Sequence, residues 1–472
     1  MEIKLFNTLS REKELFIPIK DSSVGLYTCG PTVYDYDHIG HMRSYIFADI
    51  VKRTLLSAGY EVKHVENITD VGHLVGDGDE GEDKMEVGAR KAGKSAFLIA
   101  KYYSGIFKRN LERVNVLHPD IWAPATDYVL EQINFIKVLE QKGYAYKIKD
   151  GLYFDTSKFN DYGKFAKLDV GGLKAGARIE QNKEKKNLGD FALWRFHDGK
   201  REMKWESPWG VGIPGWHIEC SAISTKFLGE RFDIHTGGID HIPVHHTNEI
   251  AQNEARFGHK VVNFWLHNDF VMVNSAKMSK SLGNLYTLDD LEKRGFSPLA
   301  YRYLCLGTHY RQKLNFTWEA LEGAQNALNK LIRALATPAE IKPSQEKPPL
   351  PPAIVPPLVG ATARSLEHDF ESAIYDDLNT PRTLAVLWES IGNPLLCYKF
   401  DKVLGLSLRD QVSQLRESQV NVSAEVRGLI VERQVARLAE NWEKADELRS
   451  QIEAKGYKVS DGPVGQKLEP LA

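Results

Sequence analysis

The sequence has few cysteines, almost no net charge and no long apolar run in its opening residues, MEIKLFNTLSREKELF. That opening fits neither a signal peptide nor a membrane span, so we expect a cytoplasmic protein without a membrane partner. In that compartment we expect no disulfide framework among the four cysteines. A net charge of −2 gives no sign of nucleic-acid binding, which would need local basic patches.

Length and composition are those of a globular protein with several domains. A chain of 472 residues is too long for one compact core, so we expect about two to four domains. Hydrophobic residues make up 42% and charged residues 26%, which allows a sizeable core. Cys305 and Cys397 lie within apolar runs and are expected to be buried.

The residues after position 22 predict a βαβ unit. Val24–Cys29 is an apolar run followed by Gly-Pro, which suits a buried strand that stops at a turn. From His41 the apolar positions recur at helical spacing as far as Gly59, and EVKHVENI (61–68) suits the next strand. Strands joined in this way lie parallel in one sheet, which indicates an α/β fold.

Later segments extend this plan. FDIHTGG (232–238) and VNFWLHNDFVMV (262–273) are predicted to be further strands, and 122–204 has the mixed pattern of an insertion. The acidic run within 71–93 predicts a solvated loop. From about residue 290 the pattern is mainly helical, with a proline-rich linker at 338–357 and a small separate module at the end.

Two short motifs predict a nucleotide site. The first, HIGH at 38–41, lies at the predicted start of a helix, where unpaired N–H groups and the helix dipole favour phosphate. Gly40 would let a flat base approach the backbone. The second, KMSKS at 277–281, supplies the ammonium groups of Lys277 and Lys280 on a flexible loop. Imidazoles and cations so placed stabilise the charge that develops when a carboxylate attacks the α-phosphate of ATP.

A metal site is suggested by side chains of the type that zinc prefers. Cys29, Cys220, His245 and Glu249 would make a plausible tetrahedral set. His245 and Glu249 are four residues apart, so on a helix they share one face. The two cysteines are 191 residues apart and form no CxxC pair, and geometry leaves His246 open in place of His245.

The two nucleotide motifs, in this order and with a βαβ unit around the first, resemble the signature pair of class I aminoacyl-tRNA synthetases. Further segments narrow the resemblance: TCGPTVYDY before the first motif, GWHIECSA, H-x-G-G-x-D-x-x-x-x-H-H-x-N-E over 235–249, KMSKSLGN, DDLNTP and WEKADELR. With these segments the whole chain resembles the cysteinyl-tRNA synthetase family.

The resemblance implies an activity and a cofactor. A member of this family activates L-cysteine with ATP and Mg²⁺ to cysteinyl-adenylate and transfers the cysteine to the 3′ end of tRNA(Cys). One zinc ion per chain is expected on Cys29, Cys220, His245 and Glu249, with His246 as a neighbour. Because a thiolate binds zinc far better than a serine hydroxyl does, the substrate sulfur is expected to bind the ion, and no editing domain is required.

The same resemblance implies further site residues. Catalytic roles are expected for His38, His41, Lys277 and Lys280. ATP contacts are expected for Gly40, Gly237, Gly238, Asp240 and Lys280. Contacts with the cysteine substrate are expected for Trp216, His235, Thr69 and Asp70, although Trp216 is equally typical of a core residue. Anticodon contacts are expected for Trp442, Asp446, Arg449 and Asp461, and for Trp442 a place in the core is an alternative.

The fold implied is a Rossmann-like α/β domain with a parallel sheet and an insertion, followed by a helical bundle and a small C-terminal anticodon-binding domain. A monomer is expected. The boundaries expected are 1–121 and 205–270 for the two halves of the Rossmann domain, 122–204 for the connective insertion, 271–320 for the KMSKS-loop region, 321–425 for the bundle with its linker and 426–472 for the C-terminal domain.

Two alternatives compete with this interpretation. A mycothiol-type ligase, which joins cysteine to an amino sugar, would keep the zinc and ATP motifs but lack the C-terminal module. A non-catalytic RNA- or zinc-binding paralogue would be expected to have lost residues of the two motifs, and both motifs are intact in this chain.

Overall fold

A computed structural model describes residues 2–73, 83–167, 183–197, 201–278, 282–336, 362–420, 423–462 and 465–470. The predicted linker at 338–357, Lys280 and the acidic residues 74–82 lie outside the described residues. Among the described helices, none combines the length and the apolar character needed to cross a membrane.

Strands and helices are numbered in chain order. The strands are β1 (Lys4–Asn7), β2 (Glu12–Leu15), β3 (Ser23–Thr28), β4 (Glu61–Ile68), β5 (Ile121–Pro124), β6 (Ala145–Ile148), β7 (Gly151–Phe154), β8 (Phe191–Phe196), β9 (Gly212–Pro214), β10 (Phe232–Gly238), β11 (Val262–Asn268), β12 (Val271–Val273), β13 (Ala276–Lys277), β14 (Leu314–Phe316), β15 (Tyr457–Gly462) and β16 (Gly465–Pro470). The helices are α1 (Ile39–Ser57), α2 (Lys84–Ala92), α3 (Ala96–Arg113), α4 (Val129–Gln141), α5 (Ile218–Leu228), α6 (Thr247–Phe257), α7 (Leu288–Lys293), α8 (Pro298–Leu306), α9 (Trp318–Ala336), α10 (Ala363–Ile374), α11 (Thr380–Glu389), α12 (Pro394–Leu404), α13 (Leu408–Val420), α14 (Ala424–Leu438) and α15 (Trp442–Ala454).

A parallel sheet with the spatial order β11-β10-β3-β4-β5 carries the fold. The chain runs outward from β3 through β4 to β5 and later returns to the other side of β3 with β10 and β11. This reversal leaves a crevice at the carboxyl ends of β3 and β10, where open α/β sheets bind their ligands. The predicted α/β fold with a parallel sheet is confirmed.

The predicted βαβ unit consists of β3, α1 and β4. Helix α1 begins at Ile39, two residues before the start predicted from periodicity, because the His38 side chain caps it by accepting a hydrogen bond from the backbone N–H of His41. The helix is buried along most of its length, and the second half of β4 is also buried. A helix enclosed in this way holds its first turn in a fixed place above the sheet.

An antiparallel sheet of β6, β7, β8 and β9 follows β5 in the chain. Its core contains Ile136 of α4, Phe154 and Trp194. Strand β5 pairs with β4 of the parallel sheet, and β9 pairs with β8 of the antiparallel sheet.

Two details predicted from the sequence are wrong. The stretch 262–273 is not one strand, because β11 ends at Asn268 and β12 begins a second sheet with β13 and β14. The acidic run is not a solvated loop from residue 83 onward. Asp83 is buried, caps α2 by accepting from the N–H of Met85, and pairs with Arg201 at 2.5 Å.

Helices of the bundle share one core with the parallel sheet. Leu26 of β3, Leu328 of α9 and Phe400 of α12 belong to a single buried cluster, in which the rings of Phe370 and Phe400 stack with centroids 4.1 Å apart. Cys397 is buried in the same cluster, and Cys305 is buried in a neighbouring one, as predicted.

Two buried carboxylates tie distant segments together. Asp49 of α1 pairs with Arg53 at 2.7 Å and with Arg302 of α8, and neither Asp49 nor Arg302 is exposed. Asp377, within DDLNTP, accepts from the backbone N–H of Phe6 at 2.9 Å and from the Tyr310 hydroxyl at 2.6 Å. Asp377 therefore holds the N-terminal hairpin against the bundle.

The end of the chain forms a small helical module with a hairpin. Helices α14 and α15 pack together, and β15 and β16 pair as an antiparallel hairpin. Val426, Ile452 and Val459 form its small core. A module of this kind is what the alternative amino-sugar ligase was expected to lack.

We predict that Arg302→Met lowers the free energy of unfolding by about 3 to 5 kcal/mol, because the change removes one partner of a buried ion pair. Arg302 also donates to the carbonyls of Val114 and Leu404, which would lose those bonds. Thermal or denaturant unfolding measures the change. Arg364→Met, at an exposed arginine of α10, is the matched control, and equal stabilities of the two variants would contradict the prediction.

Candidate active site

The predicted metal ligands and nucleotide motifs meet in the crevice between β3 and β10. Cys29 follows the last residue of β3, and its backbone N–H donates to the carbonyl of Thr236 in β10 at 3.2 Å. Cys220 lies on α5, His245 in the turn before α6, and Glu249 in the first turn of α6. Separate segments therefore converge on one buried point.

The ligand atoms of Cys29, Cys220, His245 and Glu249 lie within 4.8 Å of one another, and all four residues are buried. The sulfur atoms are 4.0 Å apart, and the Glu249 Oε1 atom lies 3.8 Å from the Cys29 sulfur and 3.1 Å from the His245 Nε2 atom. Burial raises the pKa values of the Cys29 thiol and the Glu249 carboxyl well above their ordinary values. Both groups can ionise there readily only beside a cation.

These distances fit a tetrahedral metal ion. An ion about 2.3 Å from each sulfur at a tetrahedral angle needs the sulfurs about 3.8 Å apart. An ion about 2.0 Å from a nitrogen and an oxygen needs those atoms about 3.3 Å apart. The observed separations of 4.0 Å and 3.1 Å match both values closely. Two thiols, an imidazole and a carboxyl also form a donor set that zinc prefers.

A second possible set shares Cys29 and Glu249 but takes His235 and His246 as the other ligands. The His246 Nε2 atom lies 3.3 Å from the Cys29 sulfur, while its Nδ1 atom bonds the Nε2 atom of His267 at 2.7 Å. Both imidazoles reach the cluster. The distances alone therefore do not decide whether His245 or His246 is the metal ligand, as the sequence alone did not.

Buried neighbours hold the ligand side chains in place. The His217 Nδ1 atom lies 3.0 Å from the Nδ1 atom of His245, and Gln252 donates to the His217 carbonyl at 2.9 Å. The His235 Nε2 atom lies 3.0 Å from the Glu249 Oε2 atom, and the His235 ring stacks on Trp265. Contacts of this kind fix the orientation and tautomer of metal ligands. His217 was not among the predicted residues.

Trp216 lies over the cluster with its ring partly exposed. Its ring centroid is 4.5 Å from that of His245. The ring of His73 stacks on the Trp216 ring with centroids 3.9 Å apart and planes 9° apart. Thr32 and Lys84 bond the two ring nitrogens of His73 at 2.5 Å and 2.8 Å. His73 was not among the predicted residues, since nothing in its spacing links it to Trp216.

Thr69 and Asp70 contact protein groups next to the cluster. The Thr69 hydroxyl donates to Glu219 at 2.5 Å, one residue before Cys220, and accepts from the Asn67 amide. The Asp70 carboxylate accepts from the backbone N–H and the hydroxyl of Thr126, and burial raises its pKa to about 6. Both carboxylate oxygens of Asp70 are therefore hydrogen-bonded to Thr126.

The nucleotide motifs lie against each other beside the crevice. The rings of His38 and His41 stack with centroids 3.6 Å apart at the start of α1. A Cβ atom added to Gly40 would meet the His38 ring at 2.9 Å and the Met278 sulfur at 3.5 Å, so the KMSKS segment reaches the HIGH turn. Lys277 is exposed at the end of β13, and Lys280 lies outside the described residues.

The glycines at the end of β10 make room for neighbouring side chains. A Cβ atom at Gly237 would lie 2.6 Å from the His246 ring and 2.9 Å from the His241 Nδ1 atom. At Gly238 it would lie 2.2 Å from the Oδ1 atom of the exposed Asp240. The predicted ATP contacts Gly237, Gly238 and Asp240 therefore line the same crevice as the cluster.

Asp37, immediately before the HIGH motif, is a buried carboxyl that the sequence analysis did not single out. Burial raises its pKa to about 7, and its Oδ1 atom lies 3.9 Å from the Nδ1 atom of His41. In the folded protein the Asp37 carboxyl is therefore mainly protonated at pH values below about 7.

The predicted anticodon residues lie together in the C-terminal module, away from the crevice. Asp461 pairs with Arg433, Arg437 and Arg449 at 2.7, 2.9 and 3.0 Å, and its hydrogen bond with Arg433 leads the causes that lower its pKa to about 2. Trp442 is 56% exposed, so the alternative of a core position is wrong. Arg449 also lies 3.5 Å from Asp446.

Comparisons with known proteins agree with this geometry. A family described as tRNA synthetases class I (C) catalytic domain matches residues 15–326. The chain is 47% identical over 482 residues to "Cysteine--tRNA ligase 1" of Burkholderia lata, covering 100% of this chain and 98% of that one. It is 45% identical to "Cysteine--tRNA ligase" of Treponema denticola, over 98% of both chains. Its fold resembles that of methionyl-tRNA synthetase of Mycobacterium tuberculosis in complex with methionyl-adenylate, with a TM-score of 0.57, 15% identity, and 83% of this chain and 89% of that chain covered.

We predict that Asp37→Asn flattens part of the pH dependence of stability. In the unfolded chain Asp37 ionises near its ordinary pKa of 3.8, whereas in the folded protein its pKa is about 7. The unfolded state therefore binds fewer protons between these values, and stability falls as the pH rises through that window. The wild type should lose about 2 to 3 kcal/mol more than Asp37→Asn between pH 5 and pH 7.5.

Denaturant unfolding at the two pH values measures this difference. Asp21→Asn, at an exposed aspartate, is the control and should follow the wild type. Equal losses of stability in Asp37→Asn and the wild type over this pH range would contradict the prediction. They would show that ionisation of Asp37 does not lower the stability of the folded protein.

Proposed function

The chain belongs to the class I cysteine–tRNA ligase family, and from this premise we propose how its site selects and activates the substrate. The reaction joins cysteine to tRNA at the expense of ATP. The carboxylate of cysteine attacks the α-phosphate, pyrophosphate leaves, and a ribose hydroxyl at the 3′ end of the tRNA then attacks the acyl carbon and releases AMP. The observation that carries the proposal is the buried four-ligand cluster beside the HIGH turn.

Cys29, Cys220, His245 and Glu249 hold one zinc ion in this proposal. Bound there, zinc supplies a soft Lewis acid that prefers the thiolate of cysteine to the hydroxyl of serine. The four residues are buried, so their ligand atoms are shielded from bulk water. An apolar pocket alone would separate cysteine and serine by only about 10²-fold.

His245 is a better fourth ligand than His246 for two reasons. The set with His245 contains both thiols, whereas the set with His246 replaces Cys220 by His235. His246 also lies against Gly237, where the predicted ATP contacts are. We assign His246 to the nucleotide side of the crevice.

The HIGH and KMSKS residues stabilise the charge of the first step. His38 and His41 donate to phosphate oxygens, and Lys277 and Lys280 balance the charge of the departing pyrophosphate. Mg²⁺ accompanies ATP, because it is the ion that triphosphates bind most commonly in such sites. Gly40, Gly237, Gly238 and Asp240 contact the nucleotide, with the Asp240 carboxylate placed for the ribose.

Trp216 and His235 border the space for the substrate, with His235 acting through its contact with Glu249. Thr69 and Asp70 remain assigned to the substrate amine. Trp442, Asp446, Arg449 and Asp461 read the anticodon in the C-terminal module. The predicted domain boundaries, the monomeric state and the cytoplasmic location stay predictions.

The amino-sugar ligase is not favoured, since the chain is covered from end to end by cysteine–tRNA ligases. Charging assays with tRNA and with an amino sugar as the acceptor separate the two activities directly. Cysteine-dependent exchange between ATP and pyrophosphate tests the catalytic proposal against a non-catalytic paralogue, which would show none.

We expect Cys220→Ser to lower zinc content at least about tenfold and to abolish cysteine-dependent exchange, because the serine hydroxyl is a poor zinc ligand. Metal analysis and pyrophosphate exchange on the same preparation measure both effects. Cys305→Ala, a buried cysteine outside the cluster, is the control and should keep its zinc. One equivalent of zinc in Cys220→Ser, or serine activation within about tenfold of cysteine, would contradict the proposal.

We expect His73→Ala to raise KM for cysteine by about three- to tenfold, because Trp216 loses the ring stacked on it. KM for ATP should change little, since the described ring contacts of His73 are with Trp216, Thr32 and Lys84, none of which is assigned to ATP. Steady-state exchange assays provide both constants. His73→Phe keeps a stacked ring and should stay nearer the wild type, whereas identical KM values for the alanine variant and the wild type would show that His73 does not position Trp216.

A further inference from the structure

A cavity of about 650 Å³ lies beside the HIGH turn, on the side of α3. Tyr36, Asp37, Tyr102, Arg109, Thr287 and Asp289 are among the residues that line it. Tyr36 is two residues before the first histidine of the HIGH motif, and Thr287 caps α7 shortly after the KMSKS segment. The cavity is therefore continuous with the segments that carry both nucleotide motifs. None of the substrate, zinc or ATP residues assigned above lines it.

Two tyrosines dominate its surface. Tyr36 and Tyr102 are each 49% exposed, and their hydroxyl groups lie 3.4 Å apart. Tyr103 contacts both rings edge-on, with centroids 5.2 Å from each. Edge contacts of this kind hold the two rings in position and leave ring surface accessible. Aromatic rings held beside a reaction site are typical of surfaces on which unpaired bases stack.

The charges around the rings are mixed, since Asp37 and Glu112 line the cavity as well, but they include cations that a polyanion can use. The Lys94 ammonium group lies 5.6 Å from the centre of the Tyr102 ring, and Arg109 is exposed on the wall of the cavity. The acidic Asp289 is balanced by Arg113, which pairs with it at 2.7 Å and with Glu292 at 2.8 Å. A strand that stacks its bases on tyrosines therefore finds cations for its phosphates nearby.

We propose that Tyr36 and Tyr102 form a stacking platform for the unpaired nucleotides at the 3′ end of the tRNA. The proposal rests on the proposed function, which requires that end to reach the adenylate in the crevice. The platform lies next to the HIGH turn, so a strand that stacks there lies close to the reaction site. Tyr102 binds and positions the RNA and takes no part in activating cysteine.

The test separates binding of the RNA end from activation of cysteine. In the full-length enzyme, Tyr102→Ala should raise KM for tRNA about tenfold in aminoacylation, which is the loss expected for one base stack. Cysteine-dependent pyrophosphate exchange should stay within about twofold of the wild type, which also shows that the variant is folded. Tyr102→Phe, which keeps the ring, should charge tRNA almost as the wild type does.

A second arm assigns the effect to the RNA end. Binding of intact tRNA is compared with binding of the same tRNA without its unpaired 3′ nucleotides, for the wild type and for Tyr102→Ala. Tyr102→Ala should bind intact tRNA more weakly than the wild type does. The two proteins should bind the truncated tRNA equally well, because without its 3′ nucleotides this tRNA cannot contact Tyr102 in either of them. Leu395→Ala, at an exposed leucine of the bundle, is the control for a general surface effect.

Three results would overturn the platform: unchanged KM for tRNA in Tyr102→Ala, equal weakening with intact and truncated tRNA, or a parallel loss of pyrophosphate exchange. The last would place Tyr102 in the activation step. A wild-type enzyme without cysteine-dependent exchange or tRNA charging would instead refute the proposed function itself, so the two failures are distinguishable.

Discussion

The structure depends on the convergence of two thiols, an imidazole and a carboxyl in a space that excludes water. Their ligand atoms lie within 4.8 Å of one another, and the four residues come from the end of β3, from α5, from the turn before α6 and from α6 itself. Burial opposes ionisation of Cys29 and Glu249, so the cluster is costly unless a cation compensates it. A bound metal ion would offset that cost, since it favours the ionised thiols and carboxylate.

The surrounding elements serve to keep this point fixed. The order of the strands places the cluster at the crevice between β3 and β10, and the same crevice receives the HIGH turn. His217 and His235 hold two of the ligands from behind. Asp49 with Arg302, and Asp377 with Tyr310, join the sheet and the N-terminal hairpin to the helical bundle. A small displacement of any ligand would spoil a tetrahedral arrangement, so these supporting contacts matter for the site.

Much of this architecture could be predicted from the sequence. The apolar run of β3, the periodicity of α1 and the next strand identified the parallel sheet, and the spacing of His245 and Glu249 predicted that these side chains meet. Residues that support the site could not be predicted, because the contact of His73 with Trp216 and that of His217 with His245 join segments with no local pattern. Asp83 was wrongly predicted to lie in a solvated loop, because its partner Arg201 is distant in the sequence and no local pattern links the two residues.

X-ray absorption at the zinc edge, recorded with and without L-cysteine, tests the central claim most directly. The account predicts an ion with two sulfur neighbours and two nitrogen or oxygen neighbours in the free protein, as the cluster provides. Adding cysteine should add one sulfur neighbour, and adding serine should leave the spectrum unchanged. A spectrum without sulfur neighbours, or one that cysteine does not alter, would contradict the claim that this metal site selects the substrate.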